Sequence, residues 1–231
     1  MTDNIDFRFV VVSDGHWGTP PEDTEKTYQE LHSDSLSRIN SIHNEREIDL
    51  LINNGDMVHD DETYHQELID NYFSELPSGI DWYPAMGNHD WATDSEWQNY
   101  YGQSKQQSFS YGDYAFIIMS PGEPRDTNWY CGDSDWLESE IDSYENKDQI
   151  FVFHHIPPDE DTEWSPDFGV DCPDIRQQVS RPEVTACFCG HDHRENGLIN
   201  YDGGTYLFSG RFGSYNTDSP IGLRVVDIKN D

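Results

Sequence analysis

Short apolar runs, each closing on a polar cluster, recur five times along the chain. Phe7 to Val12 runs into Ser13-Asp14-Gly15-His16, Ile48 to Ile52 into Asn53-Asn54-Gly55-Asp56, and Trp82 to Met86 into Gly87-Asn88-His89-Asp90. Ile150 to Phe153 then runs into His154-His155-Ile156-Pro157-Pro158, and Val184 to Cys189 into Gly190-His191-Asp192-His193. Near-continuous apolar runs of this length predict strands covered on both faces, and in such folds functional groups gather at the carboxyl ends of the strands. Between the runs the period changes. Tyr28 to Glu47 places Leu31, Ser35, Ile39 and Ile42 at helical spacing, and Thr63 to Leu76 does the same with Tyr64, Leu68, Tyr72 and Leu76. A third helix is predicted at Ser134 to Ile141, where Ser134 offers a cap and acids follow in the first turn. Ser108 to Tyr111 and Ala115 to Ser120 flank Gly112-Asp113 as a hairpin, and Gly204 to Phe208 and Leu223 to Ile228 add late strands. These elements predict an α/β fold in which two mixed sheets pack face to face as a sandwich, flanked by helices.

Length and charge narrow the picture. A chain of 231 residues predicts a single domain spanning residues 1–231, since single cores grow to roughly 250 residues before chains split. The formal charge is −33, from 46 acidic and 13 basic side chains, and only four of the basic residues are lysine. Such a balance would point to disorder, were 13% of the chain not aromatic. It repels nucleic acid and anionic membrane, so a polyanionic partner is excluded unless a strongly positive local site, such as bound metal, holds it. The acidic, lysine-poor surface resembles that of proteins from halophiles. In molar salt the Debye length falls to roughly 3 Å and self-repulsion is screened, so the fold is expected to loosen in dilute buffer. No run approaches the roughly 20 apolar residues of a membrane span, and the segment Met1 to Phe9 lacks the basic start of a secretory signal; a soluble, cytoplasmic protein is expected. Cys187 and Cys189 lie two apart on a predicted strand, sharing one face as packed thiols or as ligands of a soft metal, while Cys131 and Cys172 sit in loops and could bridge.

Taken singly, each polar cluster reads as a turn, a cap or a satisfied polar pair. Together they place imidazoles, carboxylates and one amide after five different strands, and those donors are the ligand set of a borderline to hard divalent ion such as Mn, Fe or Zn. The ordered set Asp14-x-His16, Gly55-Asp56, Gly87-Asn88-His89-Asp90, a strand-final histidine before proline, and Gly190-His191-x-His193 resembles the calcineurin-like metallophosphoesterases, with all five blocks present between Asp14 and His193. The resemblance implies two divalent metal ions as cofactors. One would be held by Asp14, His16 and His193 and the other by Asn88, His155 and His191, with Asp56 bridging both. It further implies in-line hydrolysis of a small phosphomonoester or phosphodiester, a cyclic nucleotide among the options, by a metal-activated water. His89 matches the position beside the metals that stabilises the transition state or protonates the leaving oxygen, and Asp90 would orient His89.

Several neighbours extend this expected site. His154 competes with His155 for the ligand position, and the spacing to Pro157 favours His155. His59 falls three residues after Asp56, where the purple acid phosphatase branch carries a tyrosine ligand, so no iron-phenolate chromophore is expected and His59 reads more simply as a solvated helix-entry residue. Arg194 and Arg211 could grip phosphate oxygens or form surface ion pairs, and Trp17, Trp91, Trp164 and Phe168 could stack on a base or simply pack. Residues Glu96 to Ser120 resemble the branch that holds cyclic-nucleotide phosphodiesterases and acid phosphatase-like enzymes. The competing readings are a nuclease of the same superfamily, against which the missing basic groove argues, and a catalytically silent metal-binding interaction module, against which the complete ligand set argues.

Overall fold

The computed structural model describes residues 5–18, 27–59, 63–90, 92–121, 131–159, 170–193, 196–213 and 222–229. Two sheets face each other. The first has the order β10-β1-β2-β3, where β1 (Ile5–Val12), β2 (Leu50–Asn54) and β3 (Asp81–Ala85) run parallel and β10 (Arg224–Lys229) is antiparallel to β1. The second has the order β4-β5-β6-β7-β9-β8. In it β5 (Tyr114–Ile118), β6 (Gln149–Phe153), β7 (Val184–Cys189) and β9 (Gly204–Phe208) are parallel, with β4 (Gln107–Tyr111) and β8 (Leu198–Tyr201) antiparallel at the edges.

The apolar runs are continuous because β1, β2, β6 and β7 bury both faces and the edge strand β3 half-buries its own, and the period of two sorts their residues into layers. Phe7, Phe9 and Val11 of β1 face between the sheets, where they meet Phe116, Ile118, Phe151, Phe153 and Phe188. Val10 and Val12 face the other way, onto α1 (Tyr28–Glu45) and α2 (Thr63–Asn71). On the second sheet Ile117, Ile150, Val152, Cys187 and Cys189 pack outward against α4 (Ser134–Ser143) and α5 (Pro173–Val179). Phe153 and Phe188 stack at 4.8 Å, and Phe9 meets Phe116 edge-on at 5.4 Å. Each such pair adds about 0.5–1.5 kcal/mol beyond its area; the first joins neighbouring strands β6 and β7 of one sheet, and the second ties β1 to β5 across the two sheets. Cys187 and Cys189 do share a face, but they are buried thiols beside Tyr206 and belong to no metal-competent cluster among the described residues.

Helix ends follow side-chain chemistry. Thr27 and Glu30 form a capping box at α1, and Thr93 and Glu96 form another at α3 (Asp94–Tyr101), which closes on Gly102 at φ 68°. The cap of α4 is Asp133 rather than the expected Ser134, its carboxylate accepting from Trp136 N. The predicted second helix is shorter than its apolar pattern: α2 ends at Asn71 and a single 3-10 turn, Phe73–Glu75, carries the chain to Leu76. Cys131 and Cys172 form a disulfide, tying the connection after β5 to the start of α5. No helix among the described residues is long and apolar enough to cross a membrane.

Candidate metal centre

All five polar clusters emerge at the carboxyl ends of parallel strands, three from the first sheet and two from the second. Beyond β1 and β2 the parallel pairing continues as a short ladder: Asp14 N donates to Gly55 O, His16 N to Asp56 O, Trp17 N to Met57 O and His59 N to Trp17 O. This ladder sets the loop Asp14 to Trp17 beside the loop Gly55 to His59. The second sheet joins through Asn54. Its carbonyl accepts from Ser13 Oγ (3.0 Å) and from His155 Nδ1 (2.7 Å), while its amide donates to Phe188 O. Turning chemistry-bearing side chains inward strains the backbone. Asp14 (φ 56°), His16 (45°), Asp56 (49°) and His191 (65°) all have positive φ, and the fifth described non-glycine residue that does, Asp202, lies in the turn between β8 and β9. Each such residue costs of order 1–3 kcal/mol, which the surrounding packing must offset.

The donor atoms converge in two groups, Asp14 with His16 and His193, and Asp56 with His155 and His191. His16 Nε2 lies 3.1 Å from His193 Nε2, and His193 Nε2 lies 3.2 Å from Asp14 Oδ1. Asp56 Oδ2 stands between the groups, 3.1 Å from His155 Nε2 and 3.8 Å from His16 Nε2. Ligands about 2.1 Å from one ion sit about 3 Å from each other, so this spacing suits coordination. One orphaned atom points the same way: Asn88 Oδ1 is buried without a partner. The set therefore fits divalent cations.

Electrostatics agree. Asp14 and Asp56 are buried, which would raise their pKa values, yet His155 with His193 (for Asp14) or His16 (for Asp56) outweighs burial and holds both below the usual carboxylate range. Burial opposes charge on His155 too, but Asp56 and Asp14 raise it to about 10, whereas burial and the neighbouring His155 lower His191 to about 4. In the absence of ions a protonated His155 thus balances the carboxylates, which is the place a bound cation would take.

The sequence model of the calcineurin-like phosphoesterases matches residues 7–195. The chain belongs to that family. Among curated relatives, the chain is 27% identical over 157 residues to a 3',5'-cyclic-nucleotide phosphodiesterase of Nostoc sp., an alignment covering 64% of this chain and 57% of the relative. It is also 27% identical over 240 residues to tartrate-resistant acid phosphatase type 5 of Rattus norvegicus, covering 88% and 71% of the two chains. The fold matches a dimetal phosphatase of Danio rerio with a TM-score of 0.76 at 12% identity, over 98% of this chain and 94% of the other. It also matches a purple acid phosphatase of yellow lupin (TM-score 0.60, 16% identity, 94% and 47% covered).

Around the two donor groups, some expected residues fall elsewhere. Asp90 does not orient His89: its buried carboxylate accepts from Val58 N (2.9 Å) and Gly87 N (2.8 Å), locking two of the strand-end loops together. Burial and nearby Asp56 raise Asp90 to about 7 against those two bonds. His89 is anchored instead through its own N–H, which donates to Asp56 Oδ1 at 2.8 Å. His154 is fully buried, its N–H on Phe188 O, and joins neither donor group, whereas His155 is part of the second. Arg211 is 6% exposed and reaches Gly213 O, in a segment whose Gly213 N donates to Asp14 O. Trp17 is core rather than a stacking platform, 2% exposed and edge-on to Tyr28 and His32. His59, read as a solvated helix-entry residue, packs against the site, stacked on His89 at 4.7 Å. Arg194, Trp91, Trp164 and Phe168 lie outside the described residues.

Proposed function

We propose that the chain is a dinuclear metal-dependent phosphohydrolase acting on a small phosphoester. The observation that carries this reading is the pair of donor groups joined across Asp56 Oδ2. Asp14, His16 and His193 would hold one ion and Asn88, His155 and His191 the other, with Asp56 between them. Mn, Fe and Zn all accept this mixed nitrogen and oxygen set. When bound, such a pair of ions supplies a water activated for attack at neutral pH and neutralises the phosphate charge. The protein's own part is positional. Asn54 O fixes His155 by accepting from Nδ1, leaving Nε2 free toward Asp56. Backbone N–H groups of His89 and His191 hold the carboxylates of Asp56 and Asp14. The half-buried His89 ring lies edge-on to His16 at 5.1 Å, which supports a role in protonating the leaving oxygen.

The relatives support two substrate classes, cyclic diesters and monoesters, and the chain spans about 57% of the length of the first relative. The charge of −33 argues against a nuclease, since nucleic-acid binding rests on basic surface, and the complete donor set argues against a silent module. That same charge supports assays in molar salt. The Cys131–Cys172 disulfide favours an oxidising compartment over the expected cytoplasm, where thiols are kept reduced.

Metal-stripped protein given Mn in molar salt should hydrolyse p-nitrophenyl phosphate or bis-p-nitrophenyl phosphate, with the ratio of rates separating monoesterase from diesterase. Two bound ions with neither ester cleaved would sink the hydrolase reading, and no bound ion would sink the metal centre. Affinity should also depend on pH. Because His155 is raised to about 10 in the ion-free site, it must release its proton to bind. Mn affinity should therefore rise by about tenfold per pH unit between pH 6 and 8 if one proton leaves per ion. Isothermal titration in buffers of different ionisation enthalpy reads that proton directly, and a pH-independent affinity would remove His155 from the ligand set.

A further inference from the structure

His59 is the residue of this region that the proposed chemistry leaves unused. The ladder between the two loops, ending in His59 N to Trp17 O, lays it alongside His16. His16 Nδ1 and His59 Nδ1 are 3.1 Å apart, while His16 Nε2 faces His193 Nε2 on the other side of the ring. A neutral imidazole has one N–H and one lone pair. If Nε2 of His16 offers its lone pair to an ion, Nδ1 carries the proton and donates it to His59 Nδ1. His59 is then the acceptor, with its own proton on Nε2. The His59 ring also lies flat on His89, with 4.7 Å between centroids and 16° between planes, and both rings stand edge-on to His16.

We infer that His59 is a positioning residue that fixes the tautomer of His16 through Nδ1 and props the His89 ring by stacking. This inference rests on the metal reading above. Ligating histidines nearly always pass their second N–H to an oxygen acceptor, and loss of that acceptor weakens metal binding by about 10–100-fold. Here a third histidine serves, joining the ligand His16 to His89 through one ring. The same three rings could instead hold a third ion, but that would require both nitrogens of His16 to lose their protons, and the 3.1 Å contact to His59 is accounted for without it.

Two substitutions separate the two jobs. His59→Phe keeps a ring to stack on His89 and removes the acceptor; His59→Gln restores an acceptor and removes the ring. Zinc affinity, measured by competition with a chromophoric chelator, should fall about 10–100-fold in His59→Phe and recover to within a few fold of wild type in His59→Gln. Zinc stoichiometry should stay at two throughout. In nitrogen-15 spectra of the zinc-loaded protein, the protected His16 Nδ1 proton should be present in wild type and His59→Gln and lost in His59→Phe. Wild-type affinity and an unchanged Nδ1 proton in His59→Phe would overturn the inference while leaving the metal centre intact. A third equivalent of zinc that vanishes with His59 would overturn the tautomer assignment, and a wild-type protein that takes up no zinc would overturn both readings.

Discussion

Asp56→Asn should abolish phosphoester hydrolysis and leave a folded protein. Asn has nearly the shape of Asp and can keep the Oδ1 bond from His89 N, so the loop Gly87 to Asp90 retains its anchor. What it lacks is charge at Oδ2, the atom 3.1 Å from His155 Nε2 and 3.8 Å from His16 Nε2 that joins the two donor groups. Charge stabilisation by bound metal is worth several kcal/mol in the transition state. A loss of about 4 kcal/mol corresponds to about 10³-fold in rate. Turnover should fall by at least that amount, with Mn stoichiometry below two per chain at concentrations that saturate wild type. Buried Asp90 offers a second signature. Its pKa is raised to about 7 first by burial and then by Asp56, so removing the Asp56 charge should bring it down, readable as a carbonyl shift in a carbon-13 pH titration of the ion-free protein. Wild-type turnover in Asp56→Asn would rule out a bridging role.

The parts of this molecule that the sequence reveals are those where burial imposes a pattern. Four strands buried on both faces and the half-buried edge strand β3 appear as apolar runs, and the groups at their ends could be named because a strand's end is where a run stops. The elements that escape are those whose burial is slight. Only Trp97 and Tyr101 are buried in the eight residues of α3, too few to show a helical period, although its Thr93-x-x-Glu96 capping box was a usable signal. Strand β8 is an edge strand with Leu198 57% exposed, and α5 is a seven-residue helix announced only by Pro173 at its start. Side-chain partners are less visible still. Nothing in Gly87-Asn88-His89-Asp90 says that the Asp90 carboxylate turns back to Gly87 N and across to Val58 N rather than to its neighbour His89. Likewise Trp17 directly follows a block residue yet packs among the helices, and His59 comes to the centre only because the loops after β1 and β2 continue their strands' pairing.

Gly87→Ala should disrupt the centre with a single methyl. A Cβ at Gly87 would lie 2.2 Å from both Asp56 N and Asp56 Oδ1 and 2.9 Å from Asp56 Cγ. The backbone of Asp56 cannot yield easily, since its carbonyl accepts from His16 N and it already has a strained φ of 49°. Nor can Gly87 retreat without breaking its bond to Asp90 Oδ2. Overpacking typically costs 1–3 kcal/mol, and with backbone on both sides of the clash the loss should reach about 3 kcal/mol. Metal binding should fail with it, because the displaced atoms belong to Asp56 and to the loop that carries Asn88. Gly102→Ala provides the matched control. There the left-handed backbone (φ 68°) disfavours a side chain but nothing lies within 4 Å, so the expected loss is about 1 kcal/mol with metal stoichiometry and turnover unchanged. If both variants melted alike and both bound two ions, the close seating of Gly87 on Asp56 would have no part in forming the metal centre.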